Sequence, residues 1–160
     1  MRGKGTGGER DRREPRSVTR PSAAGIELTR EEMVGWGEAF GRSLRAPAIV
    51  ALDGDLGAGK TTLSQAICRG CGVTEDVTSP TFALVNQYEV HGETVYHLDL
   101  YRLDSQSDLT NLGWDEIVNS DSIVLVEWAG RAGRRLPDQA IRLHLEHIPG
   151  DTTRRRLVAT

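Results

Sequence analysis

The sequence predicts an α/β domain, a three-layer sandwich whose mixed sheet combines parallel core strands with antiparallel hairpins. First, an apolar run at 48–52 leads into a glycine-rich stretch and then into a helical pattern. Second, the run at 123–126 is continuously apolar, which is typical of a central strand covered on both faces. Third, strand-like segments at 83–90 and 94–100 flank the turn at 91–93, which predicts an antiparallel hairpin.

The other elements follow from local signals. A short strand at 26–28 precedes a capping box, Thr29 with Glu32, which opens a helix ending near Leu44. Gly72 is placed to end the helix that follows the glycine-rich stretch. Further along, the patterns predict a loop at 78–82, a short polar helix at 106–112, a strand at 141–145, a turn at 149–151 and a last strand at 155–159.

Charge divides the chain into two parts. Residues 1–24 carry seven basic and three acidic side chains among few apolar ones, which predicts a disordered basic tail. Such a tail could touch tRNA or another polyanion, or be a solvated extension or an over-long start. Residues 25–160, the predicted folded domain, carry thirteen basic and twenty acidic side chains, so a broad nucleic-acid-binding surface is not expected there.

The sequence also bears on the cellular compartment of the protein and on the role of its two cysteines. No apolar run approaches the roughly 18 residues of a membrane span, and the amino-terminal segment has no apolar core of a secretory signal. We therefore expect a cytoplasmic protein. Cys68 and Cys71 form one C-x-x-C without a second ligand pair at metal spacing. Structural thiols in a reducing compartment are the main interpretation, and metal or redox use is the alternative.

The stretch G-D-L-G-A-G-K-T at 54–61 fits the phosphate-binding pattern G-x-x-x-x-G-K-[ST] at every position. Its strand–loop–helix context predicts a P-loop NTPase-like fold. Backbone N–H groups would cradle phosphates, the Lys60 ammonium would reach the terminal ones, and the Thr61 hydroxyl would bind Mg²⁺. The chain has only two lysines against eighteen arginines, yet this loop carries one of them. The predicted nucleotide-binding residues are Asp55, Gly57, Ala58, Gly59, Lys60, Thr61 and Thr62.

Two carboxylates are candidates for the chemistry at the phosphates. Glu127 ends the buried strand at 123–126, where it could hold Mg²⁺ directly or through water; a surface ion pair is the alternative. Alternation puts His97, Asp99 and Tyr101 on one face of another strand. Asp99 could orient water or a metal-bound water, whereas a solvent-facing hairpin is the alternative.

Two further groups of polar residues remain ambiguous. The hydroxyls of Thr78, Ser79 and Thr81 could belong to a loop that senses the γ-phosphate, or to an ordinary turn. The arginines at 131–135 could neutralise charge in the transition state, contact a partner, or form a solvated face.

Four segments follow one another along the chain: the phosphate loop at 54–62, T-S-P-T-F at 78–82, H-x-D-L-Y-R at 97–102 and E-W at 127–128. In this order they resemble the TsaE (YjeE) family, and the resemblance covers about residues 26–145. The phosphate loop alone is shared by many families, whereas its combination with T-S-P-T-F and H-x-D-L-Y-R is specific to this one.

The resemblance implies a small bacterial ATPase, with ATP and Mg²⁺ as cofactors, in the biosynthesis of threonylcarbamoyladenosine in tRNA. TsaE-like proteins dock on a TsaD–TsaB complex, so tRNA is reached only through that complex and no membrane is involved. ATP binding and hydrolysis reset the complex between turnovers. Carried over by motif, Lys60 grips phosphates, Thr61 and Glu127 bind Mg²⁺, Asp99 supports hydrolysis, and Trp128 lies near the nucleotide. The implied catalytic residues are Lys60, Asp99 and Glu127.

Three functions fit an ATP-binding chain of this kind. The first is a partner-stimulated ATPase, weak when alone. The second is a small-molecule kinase, although few residues separate the strands and leave little room for a lid and an acceptor pocket. The third is a nucleotide-gated binding module without significant turnover. No motif fixes the adenine contacts, for which Thr29 or Arg30 are candidates.

Overall fold

A computed structural model describes residues 21–80 and 84–160. Most of the predicted tail, and Thr81, Phe82 and Ala83, lie outside the described residues. The described part forms one sheet, and its strands lie where the sequence patterns placed them, within a few residues. They are β1 (Ile26–Thr29), β2 (Ala48–Gly54), β3 (Val85–Val90), β4 (Glu93–Asp99), β5 (Ser122–Glu127), β6 (Ile141–Ile148) and β7 (Asp151–Ala159).

The sheet is mixed, as predicted. Its order is β1-β7-β6-β2-β5-β4-β3 among the described strands. The four central strands β6, β2, β5 and β4 run parallel, while β3 and β7 are antiparallel to their neighbours. The β5–β4 register pairs Glu127 with Asp99, and the β5–β2 register pairs Glu127 with Leu52. The carboxyl ends of β2, β5 and β4 therefore meet at one edge of the sheet, where the glycine-rich stretch begins.

Helices cover both faces of the sheet, which confirms the three-layer sandwich. Ile123 and Leu125 of β5 pack into the core cluster with the first two helices, and Val124 and Val126 pack into the cluster on the opposite face. Among the described helices, none combines the length and apolar composition needed to cross a membrane. The first layer has α1 (Arg30–Ser43) and α2 (Lys60–Cys71); the second has α3 (Gln106–Asn111), α4 (Trp114–Val118) and a 3₁₀ segment (Ala129–Arg135).

Two glycines bring α1 and α2 into close contact. A Cβ on Gly41 would stand 2.2 Å from the carbonyl oxygen of Ile67, and one on Gly70 would stand 2.2 Å from that of Glu38. The two helix backbones therefore touch directly at these positions. This crossing fixes the direction of α2, whose first turn carries three of the predicted nucleotide-binding residues, Lys60, Thr61 and Thr62.

The capping box that was predicted to open α1 is present. Glu32 N–H donates to Thr29 Oγ1 (3.2 Å), and Thr29 N–H donates to Glu32 Oε2 (2.8 Å). The sequence patterns did not predict α4 or the 3₁₀ segment. Trp114 in α4 is fully buried, and its indole N–H donates to the carbonyl of Arg135 at 3.1 Å, which ties the two together.

Candidate nucleotide site

The loop between β2 and α2 has the backbone shape that its glycines permit. Gly54 has φ 145°, and a Cβ there would lie 2.3 Å from the carbonyl oxygen of Leu145. Gly59, at φ 106°, precedes α2 and offers no side-chain cap to its first-turn N–H groups. The Ala58 N–H donates to the Asp55 carbonyl at 3.1 Å, and the Ala58 side chain is buried. The loop thus presents backbone and a helix N-terminus, an arrangement that suits an anion.

Lys60 lies inside this loop and is only 5 % exposed. Its Nζ donates to the carbonyl oxygens of Gly54 and Asp55, both at 2.7 Å, and stands 4.1 Å from the centre of the Trp128 ring. Burial lowers the pKa of Lys60, and surrounding carboxylates, with Glu127 foremost, oppose that shift. The ammonium is held by carbonyl dipoles and an aromatic face, contacts that an anionic ligand can replace.

Glu127 is 1 % exposed, so its interpretation as a surface ion pair is wrong. One carboxylate oxygen accepts a hydrogen bond from the Thr61 hydroxyl at 3.0 Å. The other oxygen stands 2.7 Å from Nε2 of His97, which is fully buried. Sequence reasoning placed His97 on the polar face of its strand but gave it no partner, because Glu127 is distant along the chain.

Asp99 ends β4 beside Glu127. It is half-buried, and its Oδ1 accepts the Tyr101 N–H at 3.0 Å. Burial raises the pKa of Asp99; the Tyr101 N–H opposes this, and the charge of Glu127 adds to it. The alternative of a solvent-facing hairpin is wrong for this end of the strand, since His97 is buried and Asp99 faces the same site.

These side chains line a cleft of about 360 Å³ at the carboxyl edge of the sheet. Its oxygen donors fit Mg²⁺, because the Thr61 hydroxyl and the Glu127 carboxylate meet 3.0 Å apart and hard cations prefer such ligands. Thr61 and Glu127 are therefore the residues that would hold the ion. The lining residues are Leu56, Gly57, Gly59, Lys60, Thr61, Thr62, Asp99, Tyr101, Glu127 and Trp128.

A second cavity of about 250 Å³ lies on the other side of the loop and shares Gly57, Gly59 and Thr62 with the cleft. Thr29 and Arg30, the candidates for adenine contacts, both line it. Ala58 of the loop, which the motif predicted, lines it as well. Sequence reasoning missed the rest of its wall, because elements distant along the chain contribute it. Those residues are Leu28 of β1, Met33 of α1, and Thr152, Thr153 and Arg155 of β7.

The described part of the polar loop after α2, residues 78–80, does not line the cleft. Thr78 lines a separate depression with Gln65 and Arg69, and its carbonyl accepts from the Asn86 amide at 3.0 Å. Ser79 is half-buried and does not line the cleft, and Thr81 lies outside the described residues.

The arginines of the 3₁₀ segment differ from one another. Arg131 donates to the Leu103 carbonyl at 3.1 Å and stands 5.5 Å from the centre of the Tyr101 ring, at the rim of the cleft. Arg135 pairs with Asp115 at 3.1 Å, so it ties the 3₁₀ segment to α4. Arg134 is exposed.

The two cysteines are free thiols, with Cys68 fully buried. Burial raises the pKa of Cys71 to about 12 and raises that of Cys68 as well, so both are protonated at neutral pH. Within residues 21–80 and 84–160, no group of three or more His, Cys, Asp or Glu side chains is placed to hold a metal ion. These observations favour the interpretation of Cys68 and Cys71 as structural thiols.

Known proteins resemble this chain in sequence and in fold. TsaE of Haemophilus influenzae, a tRNA threonylcarbamoyladenosine biosynthesis protein, is 41% identical over 99 residues, 62% of this chain and 63% of that protein. TsaE of Treponema pallidum is 36% identical over 121 residues, 75% of this chain and 88% of that protein. The crystal structure of Bacillus subtilis YdiB superposes with a TM-score of 0.68 and 27% identity, covering 82% of each chain.

The family model described as "Threonylcarbamoyl adenosine biosynthesis protein TsaE" matches residues 28–157. That range begins in β1, ends in β7 and includes the whole cleft. The chain therefore belongs to the TsaE family of threonylcarbamoyl adenosine biosynthesis proteins.

Proposed function

We propose that this chain is a Mg²⁺-dependent ATP hydrolase, weak alone, whose ATP binding and hydrolysis reset a TsaD–TsaB complex during tRNA threonylcarbamoyladenosine biosynthesis. The observation that carries the proposal is the convergence of Thr61 and Glu127, 3.0 Å apart, beside the buried ammonium of Lys60. A hydroxyl, a carboxylate and a lysine in one cleft are the parts that phosphoryl transfer needs. The reaction belongs in the cytoplasm, and tRNA is reached only through the complex.

The roles follow from the positions of the side chains. The first turn of α2 and Lys60 bind the phosphates, and Lys60 does so by exchanging the Gly54 and Asp55 carbonyls for phosphate oxygens. Thr61 and Glu127 hold Mg²⁺, which supplies charge neutralisation when bound. Asp99 orients the attacking water from the end of β4, and Trp128 closes the cleft over the Lys60 side chain.

The second cavity supports a nucleoside triphosphate rather than a bare phosphate. It adjoins the loop through Gly57 and Gly59 and combines the apolar side chains of Leu28 and Met33 with polar ones. An apolar slot with a few polar groups is the usual environment of a base. We assign it to the adenine and ribose.

The decisive measurement is phosphate release from ATP by the purified chain, with and without TsaD–TsaB from the same source. We expect slow turnover alone and a clear increase with the complex. Turnover that requires a small-molecule acceptor would favour a kinase. Binding to the complex in ATP with no turnover would favour a nucleotide-gated module.

Two variants locate that activity in the cleft. Lys60→Ala should lose nearly all ATP affinity, because it removes the cation that the loop encloses. Arg69→Ala is the matched control, since it removes an exposed cation from the same helix. Asp99→Ala should bind ATP and hydrolyse it poorly. Unchanged ATP affinity in Lys60→Ala would refute the assignment of the phosphate loop.

A further inference from the structure

The fully buried His97 lies directly behind Glu127. Its Nε2 stands 2.7 Å from Glu127 Oε1, while Thr61 Oγ1 donates to Glu127 Oε2 at 3.0 Å. The carboxylate is thus held from two sides. His97 contacts it from inside the sheet, and Thr61 contacts it from the cleft.

The hydrogen bond with Glu127 determines which ring nitrogen of His97 carries the hydrogen. A carboxylate oxygen accepts, so the Nε2 of His97 carries the hydrogen and donates it to Glu127. The other ring nitrogen, Nδ1, is buried and has no hydrogen-bond partner within the described ranges. The contact with Glu127 is therefore the only hydrogen bond that the ring makes with a described residue.

This arrangement is costly for a residue that only fills space. The neighbours of His97 on its own face of the sheet include Val95, two residues earlier in β4, and Leu125, its partner in β5, and both are buried. An apolar side chain would fit such surroundings without leaving a buried nitrogen unpaired. A buried polar atom without a partner calls for an explanation, and a functional role is one of the recognised ones.

We infer that His97 is a positioning residue that fixes the rotation of the Glu127 carboxylate. The terminal torsion of a glutamate is soft, so a carboxylate without this bond would turn away from Thr61. With His97 holding Oε1, Oε2 stays directed at the Thr61 hydroxyl and the cleft. The inference rests on the proposed function, in which Thr61 and Glu127 hold Mg²⁺. Loss of such outer partners typically lowers metal affinity about 10- to 100-fold.

The test compares His97→Leu and His97→Gln in the full chain. Leucine has a similar size and no donor, whereas the glutamine side chain places an N–H near the position of Nε2. Nucleotide binding is titrated with Mg²⁺ and followed by tryptophan fluorescence, and ATP affinity is also measured in EDTA. We expect His97→Leu to raise the half-saturating Mg²⁺ concentration roughly 10- to 100-fold, with ATP affinity in EDTA unchanged. His97→Gln should restore most of the Mg²⁺ affinity.

A purely structural role predicts a different pattern, namely a lower melting temperature with the wild-type half-saturating Mg²⁺ concentration. That result in a folded His97→Leu protein would overturn the inference. If His97→Leu does not fold, His97→Asn replaces it, because asparagine is one methylene too short to reach Glu127. Equal Mg²⁺ affinity in the asparagine and glutamine variants would likewise overturn it. A wild-type chain that shows no Mg²⁺-dependent nucleotide binding would instead refute the proposed function itself.

Discussion

Asp99 lines the candidate cleft, and burial of its charged carboxylate lowers the stability of the folded chain. Burial raises the pKa of its carboxyl, so the neutral form is more favoured in the folded chain than in the unfolded one. Between its ordinary pKa and the raised one, the folded state binds more protons than the unfolded state. Stability therefore falls as pH rises through that window, and above it the full cost remains.

Replacing Asp99 with asparagine should remove this cost, because the amide oxygen can still accept the Tyr101 N–H. We expect Asp99→Asn to melt at a higher temperature than the wild type at pH 7, in EDTA and without nucleotide. The gain should shrink as pH is lowered through the raised pKa of Asp99. A gain that is the same at every pH would show that the Asp99 charge is not its source.

Gly41 controls how closely α1 can approach α2 where the two helices cross. Gly41→Ala would drive a Cβ to 2.2 Å from the Ile67 carbonyl oxygen, and a backbone atom cannot turn aside. We expect the helices to separate and stability to fall by about 1–3 kcal/mol, as in other overpacked cores. Gly35→Ala in the same helix is the matched control, because a Cβ there meets nothing within 4 Å.

The control should stabilise the chain by about 0.5–1 kcal/mol through helix propensity alone. Urea unfolding followed by circular dichroism measures both variants. Equal losses of stability in Gly41→Ala and Gly35→Ala would indicate that glycine is needed throughout α1. That result would contradict a specific role of Gly41 at the helix crossing. Because α2 begins at Lys60, Gly41→Ala should also weaken nucleotide binding.

At the level of elements, the sequence was informative where signals are local. The capping box of α1, the loop at 54–61 and the all-buried β5 each carry their own pattern, and the structure shows all three. The helix α4 and the 3₁₀ segment were missed because each is too short for a periodic pattern. Their stability comes from distant contacts, such as the Trp114 indole on the Arg135 carbonyl. Thr152 and Arg155 line the second cavity, and sequence patterns missed them because they are far along the chain from the loop that they face.

For the whole molecule, nucleotide binding should appear as thermal stability, because a ligand bound only by the folded state shifts the unfolding equilibrium. At 100 times its Kd, Mg²⁺-ATP should add about 2.7 kcal/mol, or roughly 5–10 °C in melting temperature for a chain of this size. Differential scanning fluorimetry measures the shift. Lys60→Ala should show none, and Arg69→Ala should keep it. An equal shift in all three proteins would point to a non-specific salt effect.

The pairing of β1 with β7 has a consequence for synthesis. β1 leaves the ribosome first, yet among the described strands its only sheet neighbour is β7, the last to be made. Such distant pairing makes completion of the sheet slow and late. A nascent chain that has reached β6 already contains the phosphate loop and Glu127, but it lacks the β7 wall of the second cavity. Translation thus delivers the residues proposed for catalysis first and the last wall of the proposed nucleotide pocket at the end, so a chain that stops before β7 cannot form the whole candidate site.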